Sequence, residues 1–94
     1  ATSDDEPVFK IQFLTTSQLL DQGDKAFKGL NPVEHYHDKG MYKYTYGSTT
    51  DYNEILRLKH KVNEKFKDAF VVAFIKDERV ETQKAIAMFK KRGS

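Results

Sequence analysis

Residues 41–47 read Met41-Tyr42-Lys43-Tyr44-Thr45-Tyr46-Gly47. Tyrosines alternate with Lys43 and Thr45, and alternation with a period of two is typical of a strand whose sheet is covered on one face only. Because a lysine is almost never fully buried without a partner, we expect the tyrosines to face helices and Lys43 and Thr45 to face solvent. An open sheet face that carries polar side chains is a candidate ligand platform.

A second alternating stretch covers residues 8–14. Its apolar side carries two phenylalanines and an isoleucine, and its polar side carries Lys10 and Gln12. The same period predicts another half-covered strand. We therefore expect Lys10 and Gln12 to share the open face with Lys43.

The other segments complete a mixed pattern. Asp51, followed three residues later by Glu54, is typical of a helix N-terminus, and Gly40 in the turn at residues 38–40 predicts a hairpin. In chain order we expect a strand at 8–14, a short or broken helix within 15–31, strands at 32–38 and 41–47, a helix after Asp51, a strand at 69–75, a polar turn at 76–79 and a helix at 82–92.

This order predicts an α+β, ferredoxin-like (βαββαβ) fold. Its antiparallel sheet would have four strands, with the helices on one face and an extra helix at the C-terminus. Residues 1–7 are small, acidic and end in proline, so we interpret them as a linker or frayed terminus. Residues 8–92 are expected to form a single domain.

Composition excludes several kinds of site. The chain has 94 residues, a net charge of +2 and no cysteine, which excludes disulfides, cysteine nucleophiles and thiolate metal sites. A charge this small does not by itself indicate a nucleic-acid footprint. No apolar run approaches the roughly 20 residues of a membrane span. No nucleophile–base pair, paired carboxylates or phosphate loop is recognisable, so we expect a binding module and not an enzyme.

Two histidines raise the question of a metal site. His35 and His37 share one side of the predicted second strand, and Asp38 follows them. A protein zinc site takes three or four ligands, and the sequence indicates no third one. Surface histidines of a hairpin are the favoured interpretation, and we expect neither a metal nor any other cofactor.

Three stretches resemble one known family. Residues 8–13, Val-Phe-Lys-Ile-Gln-Phe, resemble the opening strand of the SPOR domain, the peptidoglycan-binding module of bacterial division and cell-wall proteins. Residues 42–47, Tyr-Lys-Tyr-Thr-Tyr-Gly, resemble that family's third strand, and residues 68–72, Asp-Ala-Phe-Val-Val, resemble its closing strand. In detail the chain looks most like the C-terminal SPOR module of Bacteroides-type N-acetylmuramoyl-L-alanine amidases. It departs from the pattern in its tyrosines, where the family usually has valines.

The resemblance implies a function in the cell envelope. A SPOR domain binds peptidoglycan glycan strands that lack stem peptides, through the open face of its sheet. It would target an attached amidase to the wall or septum in the periplasm, as part of a longer exported protein, and would act as a monomer. The glycan-binding residues expected here are Lys10, Gln12, Tyr36, Lys43, Thr45 and Phe70, and Phe74 is a further candidate, depending on the phase of the fourth strand.

Two other functions remain open. The RNA-recognition motif shares this topology and also binds through an open sheet, but it expects a glycine- and aromatic-rich third strand that residues 41–47 do not match. We therefore expect no nucleic-acid partner. A protein-interaction module of the same topology is the remaining alternative.

Overall fold

The computed structural model describes residues 6–92, which form a five-stranded antiparallel sheet with two α-helices. The sheet has the order β2-β3-β1-β4-β5. Its strands are β1 (Val8–Thr16), β2 (Glu34–Asp38), β3 (Met41–Thr49), β4 (Phe70–Ile75) and β5 (Glu78–Val80). The helices are α1 (Tyr52–Asn63) and α2 (Thr82–Arg92). The α+β class is confirmed, and of the predicted linker, residues 1–5 lie outside the described part.

The fifth strand was not predicted. Lys76 and Asp77 both have positive φ, 53° and 65°, and such a two-residue turn matches the twist of a hairpin. The chain therefore returns at once along β4, and Val80 pairs with Ala73. The predicted four-residue polar turn is wrong because two residues are enough to reverse the chain.

The segment before β2 is mostly without helix. A single turn of 3-10 helix covers Lys25–Phe27, so the predicted broken helix is reduced to this turn. Gln22 holds the segment by a reciprocal pair of bonds to Val33, donating to its carbonyl at 2.5 Å and accepting from its N–H at 3.0 Å. Phe27 in this turn is buried and Leu20 and Leu30 pack against the core, whereas Leu19 is exposed.

Both helices pack on one face of the sheet through the aromatic residues of β1. The ring centroid of Phe9 lies 5.3 Å from that of Tyr52 at the start of α1 and 6.2 Å from that of Phe89 in α2. Phe13 lies 4.8 Å from Phe66, just beyond α1. The apolar side predicted for the first strand is therefore the main core face.

The tyrosine side of β3 is on this same face. Tyr44 is buried, with its ring 5.1 Å from that of Phe27. Its hydroxyl accepts from the N–H of Leu20 at 2.6 Å and donates to the carbonyl of Gln18 at 3.3 Å. The loop before β2, and not a helix, thus covers Tyr44 and satisfies its hydroxyl.

Strand β3 continues two residues beyond the predicted end at Gly47. The pairing of β3 with β1 shifts register between Phe9 and Ile11, and Gly47 in this irregular part has a φ of +83°. A Cβ at Gly47 would lie 2.3 Å from Cδ2 of Leu58 in α1. Glycine is therefore needed both for the backbone conformation and for the close approach of the helix.

We predict that Gly47→Ala destabilises the domain by about 1–3 kcal/mol, since positive φ strains alanine and the methyl group displaces Leu58. Gly40→Ala is the matched control, because Gly40 has a φ of +79° but open space around its Cα. Urea unfolding of both variants separates the strain of positive φ from the displacement of Leu58. Equal losses in the two variants would show that the helix contact contributes nothing.

Helix α1 begins on a side-chain cap, and a side chain of its last turn holds the loop that follows it. Asp51 accepts from the N–H groups of Asn53 and Glu54, which confirms the predicted N-terminus. At the other end, the Nδ2 group of Asn63 donates to the carbonyls of Phe66, Lys67 and Ala69 at 3.0, 3.4 and 3.2 Å. One side chain therefore organises the connection from α1 to β4.

We predict that Asn63→Ala lowers the free energy of unfolding by about 1–2 kcal/mol through the loss of these bonds, and that Asn63→Asp lowers it further. The carboxylate would face three carbonyl oxygens without donating to any of them. Asn53→Asp, the same change in the first turn of α1, should be neutral or slightly stabilising because of the helix dipole. If thermal unfolding shows that Asn63→Asp is more stable than Asn63→Ala, the role of Asn63 as a donor to these carbonyls is contradicted.

Candidate functional site

The side chains opposite the helices form a second, distinct surface. We call it the helix-free face, and it consists of Lys10, Gln12, Tyr36, Lys43, Thr45, Phe70, Val72 and Phe74. Cross-strand pairs define it, since paired residues point to the same side: Gln12 lies opposite both Thr45 and Phe70, and Tyr36 lies opposite Lys43. The six predicted site residues therefore share one face, and the phase of β4 puts Phe70 and Phe74 on it together.

The helix-free face is partly closed by two of its own aromatic rings. Tyr36 of β2 and Phe74 of β4 meet edge to face at a centroid distance of 5.1 Å, although β3 and β1 lie between their strands. Such a contact requires the sheet to curl toward this face. Val72 and Phe74 are both buried and lie outside the main core cluster, so the pair and its neighbours form a small second core.

This closure corrects the prediction that Gln12 and Thr45 face solvent. Gln12 is only 7% exposed and Thr45 only 1% exposed. The predicted strand phase is right, because both residues lie opposite the helices. Large side chains projecting from β2 and β4 cover them instead, and a period-two pattern carries no information about such a cover.

Gln12 is held by hydrogen bonds within the face. Its Oε1 accepts from the hydroxyl of Tyr36 at 2.5 Å, and its Nε2 donates to Oγ1 of Thr15 at 3.3 Å. Both ends of the amide therefore have partners, as buried polar groups require. Gln12 therefore holds the hydroxyl of Tyr36 in place and is not itself a surface group.

Two lysines flank the aromatic pair, and each contacts one ring and one carboxylate. Lys10 Nζ lies 5.1 Å from the centroid of Phe74 and 3.2 Å from Oε1 of Glu34. Lys43 Nζ lies 5.9 Å from the centroid of Tyr36 and donates to Oδ2 of Asp38 at 3.0 Å. The positive charges expected on this face are present, but acidic partners compensate both.

The pair of Asp38 and Lys43 shifts a pKa. The hydrogen bond from Lys43 holds the pKa of Asp38 below its ordinary value, and the charges of Lys43, Lys39 and His37 act in the same direction. A lowered pKa means that the folded state prefers the ionised carboxylate. This contribution to stability is present above the pKa of the unfolded chain and is lost as the pH falls through the folded value.

Two adjoining hollows lie beside the aromatic pair. Tyr36, Phe74 and Asp77 line both of them. The hollow toward Lys10 has a volume of about 280 Å³ and the hollow toward Asp38 about 410 Å³, so the larger one falls within the range of small-molecule sites. Phe70 lies apart from them and is 46% exposed, which makes it the most accessible ring of the face.

The acidic residues of this surface were not predicted from the sequence. Glu34 and Asp38 alternate with Tyr36 in β2, and Asp77 lies in the turn after β4. Opposite charges on neighbouring strands pair across a sheet, so the sequence does contain a signal for the pair of Asp38 and Lys43. To use this signal, one must know the register of the hairpin, which places Tyr36 opposite Lys43.

The two histidines lie on the other side of β2. His35 and His37 lie 5.7 and 5.0 Å from Tyr42, measured between ring centroids. They enclose an aromatic side chain and are exposed. Within residues 6–92 no group of three or more His, Asp or Glu side chains is placed to hold a metal ion.

Comparisons with family models, with curated proteins and with solved structures gave no match to this chain. The described part of the chain contains no helix that is long and apolar enough to cross a membrane.

We predict that Lys43→Met raises the pKa of Asp38 toward the ordinary value of about 3.9, because the main cause of its lowering is removed. The stability difference from the unchanged protein should be present at neutral pH and shrink once the pH falls below about 4. Carboxyl carbon NMR titration measures the pKa directly. Lys39→Met is the control and should give a smaller shift; an equal shift would mean that charge alone, without the hydrogen bond, lowers the pKa.

Proposed function

We propose that this chain is a SPOR-like module that binds peptidoglycan glycan strands lacking stem peptides through its helix-free face. In this proposal the fold is a ferredoxin-like one with two changes. The first helix is reduced to a single 3-10 turn, and β5 is added beside β4. The first four strands keep the order β2-β3-β1-β4, with β1 and β3 in the centre.

The observation that carries the proposal is the combination of aromatic rings and polar groups on one surface that no helix covers. Sugar rings have apolar faces that pack on aromatic side chains, and hydroxyl and N-acetyl groups that require hydrogen-bonding partners. The helix-free face offers the exposed ring of Phe70, the half-buried ring of Tyr36 that packs on the buried Phe74, and the ammonium groups of Lys10 and Lys43. Hollows beside the pair give the concave shape that ligand sites share.

The ligand chemistry adds a specific role for the lysines. Removal of a stem peptide leaves a free carboxylate on the lactyl group of N-acetylmuramic acid. A lysine ammonium binds such a group by a charge-assisted hydrogen bond. Gln12 and Thr45 are buried, so in this proposal neither contacts the glycan directly, and Gln12 holds the hydroxyl of Tyr36.

The accessible ring of Phe70 gives the sharpest test. Phe70→Ala should weaken co-sedimentation with amidase-treated peptidoglycan about 2- to 10-fold, the range of an aromatic contact, with little change in thermal stability. Leu56→Ala is the matched control, since Leu56 is a similarly exposed apolar residue, 40% accessible, on helix α1. Intact peptidoglycan, whose carboxylates carry peptides, should bind less than the treated polymer.

Two results would contradict the proposal. One is equal loss of binding in Phe70→Ala and Leu56→Ala, which would mean that the helix-free face is not the site. The other is failure of the unchanged protein to bind either form of peptidoglycan.

A further inference from the structure

The two ion pairs of the helix-free face are built alike. Each joins a lysine that covers an aromatic ring to an acidic residue of β2, the edge strand beside β3: Lys10 to Glu34, and Lys43 to Asp38. The two rings are those of the central edge-to-face pair. A ligand on these rings therefore meets both ion pairs.

Within each pair the acid is the more accessible partner. The side chain of Lys10 is 18% exposed and that of Glu34 is 59% exposed; for Lys43 and Asp38 the values are 25% and 43%. The lysines lie against the rings, and the carboxylates lie farther out. An anionic group that approaches the face thus encounters a carboxylate that already occupies the ammonium group it would bind.

Asp77 completes the charge balance. It lines both hollows, and Arg79 lines the one toward Asp38. The three cations Lys10, Lys43 and Arg79 are matched by the three anions Glu34, Asp38 and Asp77. The surface offers cationic donors but no net positive charge.

We propose that Glu34 and Asp38 are internal competitors, which occupy Lys10 and Lys43 and so limit the affinity of the helix-free face for anionic ligands. This inference rests on the proposed glycan-binding function and adds a basis for its selectivity. A tethered carboxylate competes at a high effective concentration. A ligand carboxylate replaces it only when the rest of the ligand, such as a sugar ring on the aromatic pair, adds its own contacts.

The consequence is discrimination between two kinds of anion. A glycan with one carboxylate per disaccharide gains ring contacts for every charge that it inserts. A polyanion bound mainly through its backbone charge gains little and is repelled by Glu34, Asp38 and Asp77. The face would therefore select bare glycan strands over nucleic acid.

The test removes the acids and keeps their shape. Glu34→Gln and Asp38→Asn should each raise the affinity for denuded glycan fragments containing N-acetylmuramic acid by about 2- to 5-fold, the range expected for an accessible ion pair, and the double variant by about 10-fold. Neutral oligomers of N-acetylglucosamine should bind all variants equally. The gain should fall at 1 M salt, where charges are screened within about 3 Å.

Glu64→Gln is the matched control. It makes the same charge change as each single variant at an exposed position after α1, and it should leave both affinities unchanged. Circular dichroism and thermal unfolding check that each variant is folded. Unchanged affinity of the double variant for the carboxylate-bearing glycan, or an equal gain for the neutral oligomer, would overturn the competitor role.

A third probe separates this inference from the proposed function. Fluorescent oligouridylate should bind the double variant more tightly than the unchanged protein or Glu64→Gln. If neither glycan binds any variant but this gain appears, the competitor role stands and the glycan assignment falls. If glycan binds and the oligouridylate gain is absent, exclusion of polyanions by the two acids is refuted.

Discussion

Every layer of this domain depends on the register of strand β1. It pairs with β3 on one edge and with β4 on the other, so its alternation fixes both faces of the sheet at once. Toward the helices it presents Phe9 and Phe13, which contact α1, α2 and the 3-10 turn. Toward the other side it presents Lys10 and Gln12. A slip of one residue in this strand would exchange an aromatic core for charged groups, so the register is strongly specified.

Strand β1 also contributes to the helix-free face, which is buried in part and exposed to solvent in part. The sheet curls until Tyr36 and Phe74 touch across the two central strands, and this contact buries the polar Gln12 and Thr45. Burial of these groups is tolerated because the Gln12 amide is bonded at both ends. What remains accessible is a rim of charged side chains around aromatic rings, in place of the flat polar platform expected from the sequence.

The sequence was informative where one local signal decides the outcome. The phase of β1 and β3, the cap at Asp51 and the helix at 82–92 follow from periodicity and capping chemistry, and the structure confirms each of them. All six expected glycan-binding residues lie on one face for the same reason.

The sequence failed where structure depends on distant groups. The contact of Tyr36 with Phe74 joins residues far apart in the chain, so no period-two pattern reveals it. The burial of Gln12 follows from that contact. The loop before β2 owes its shape to Gln22 and to the hydroxyl of Tyr44, which act as substitutes for helix hydrogen bonds. The helix content of this loop was overestimated because helix propensity does not reveal these hydrogen-bond partners.

The two borders of the sheet have a consequence for how copies of this domain behave together. One border is β2, where Glu34 and Asp38 are charged and the two histidines are polar; the other is β5, which has only three residues. Short and charged borders discourage strand addition between molecules. Glu34 and Asp38 therefore also protect the exposed edge, and a variant that lost both acids would be more prone to edge-to-edge association.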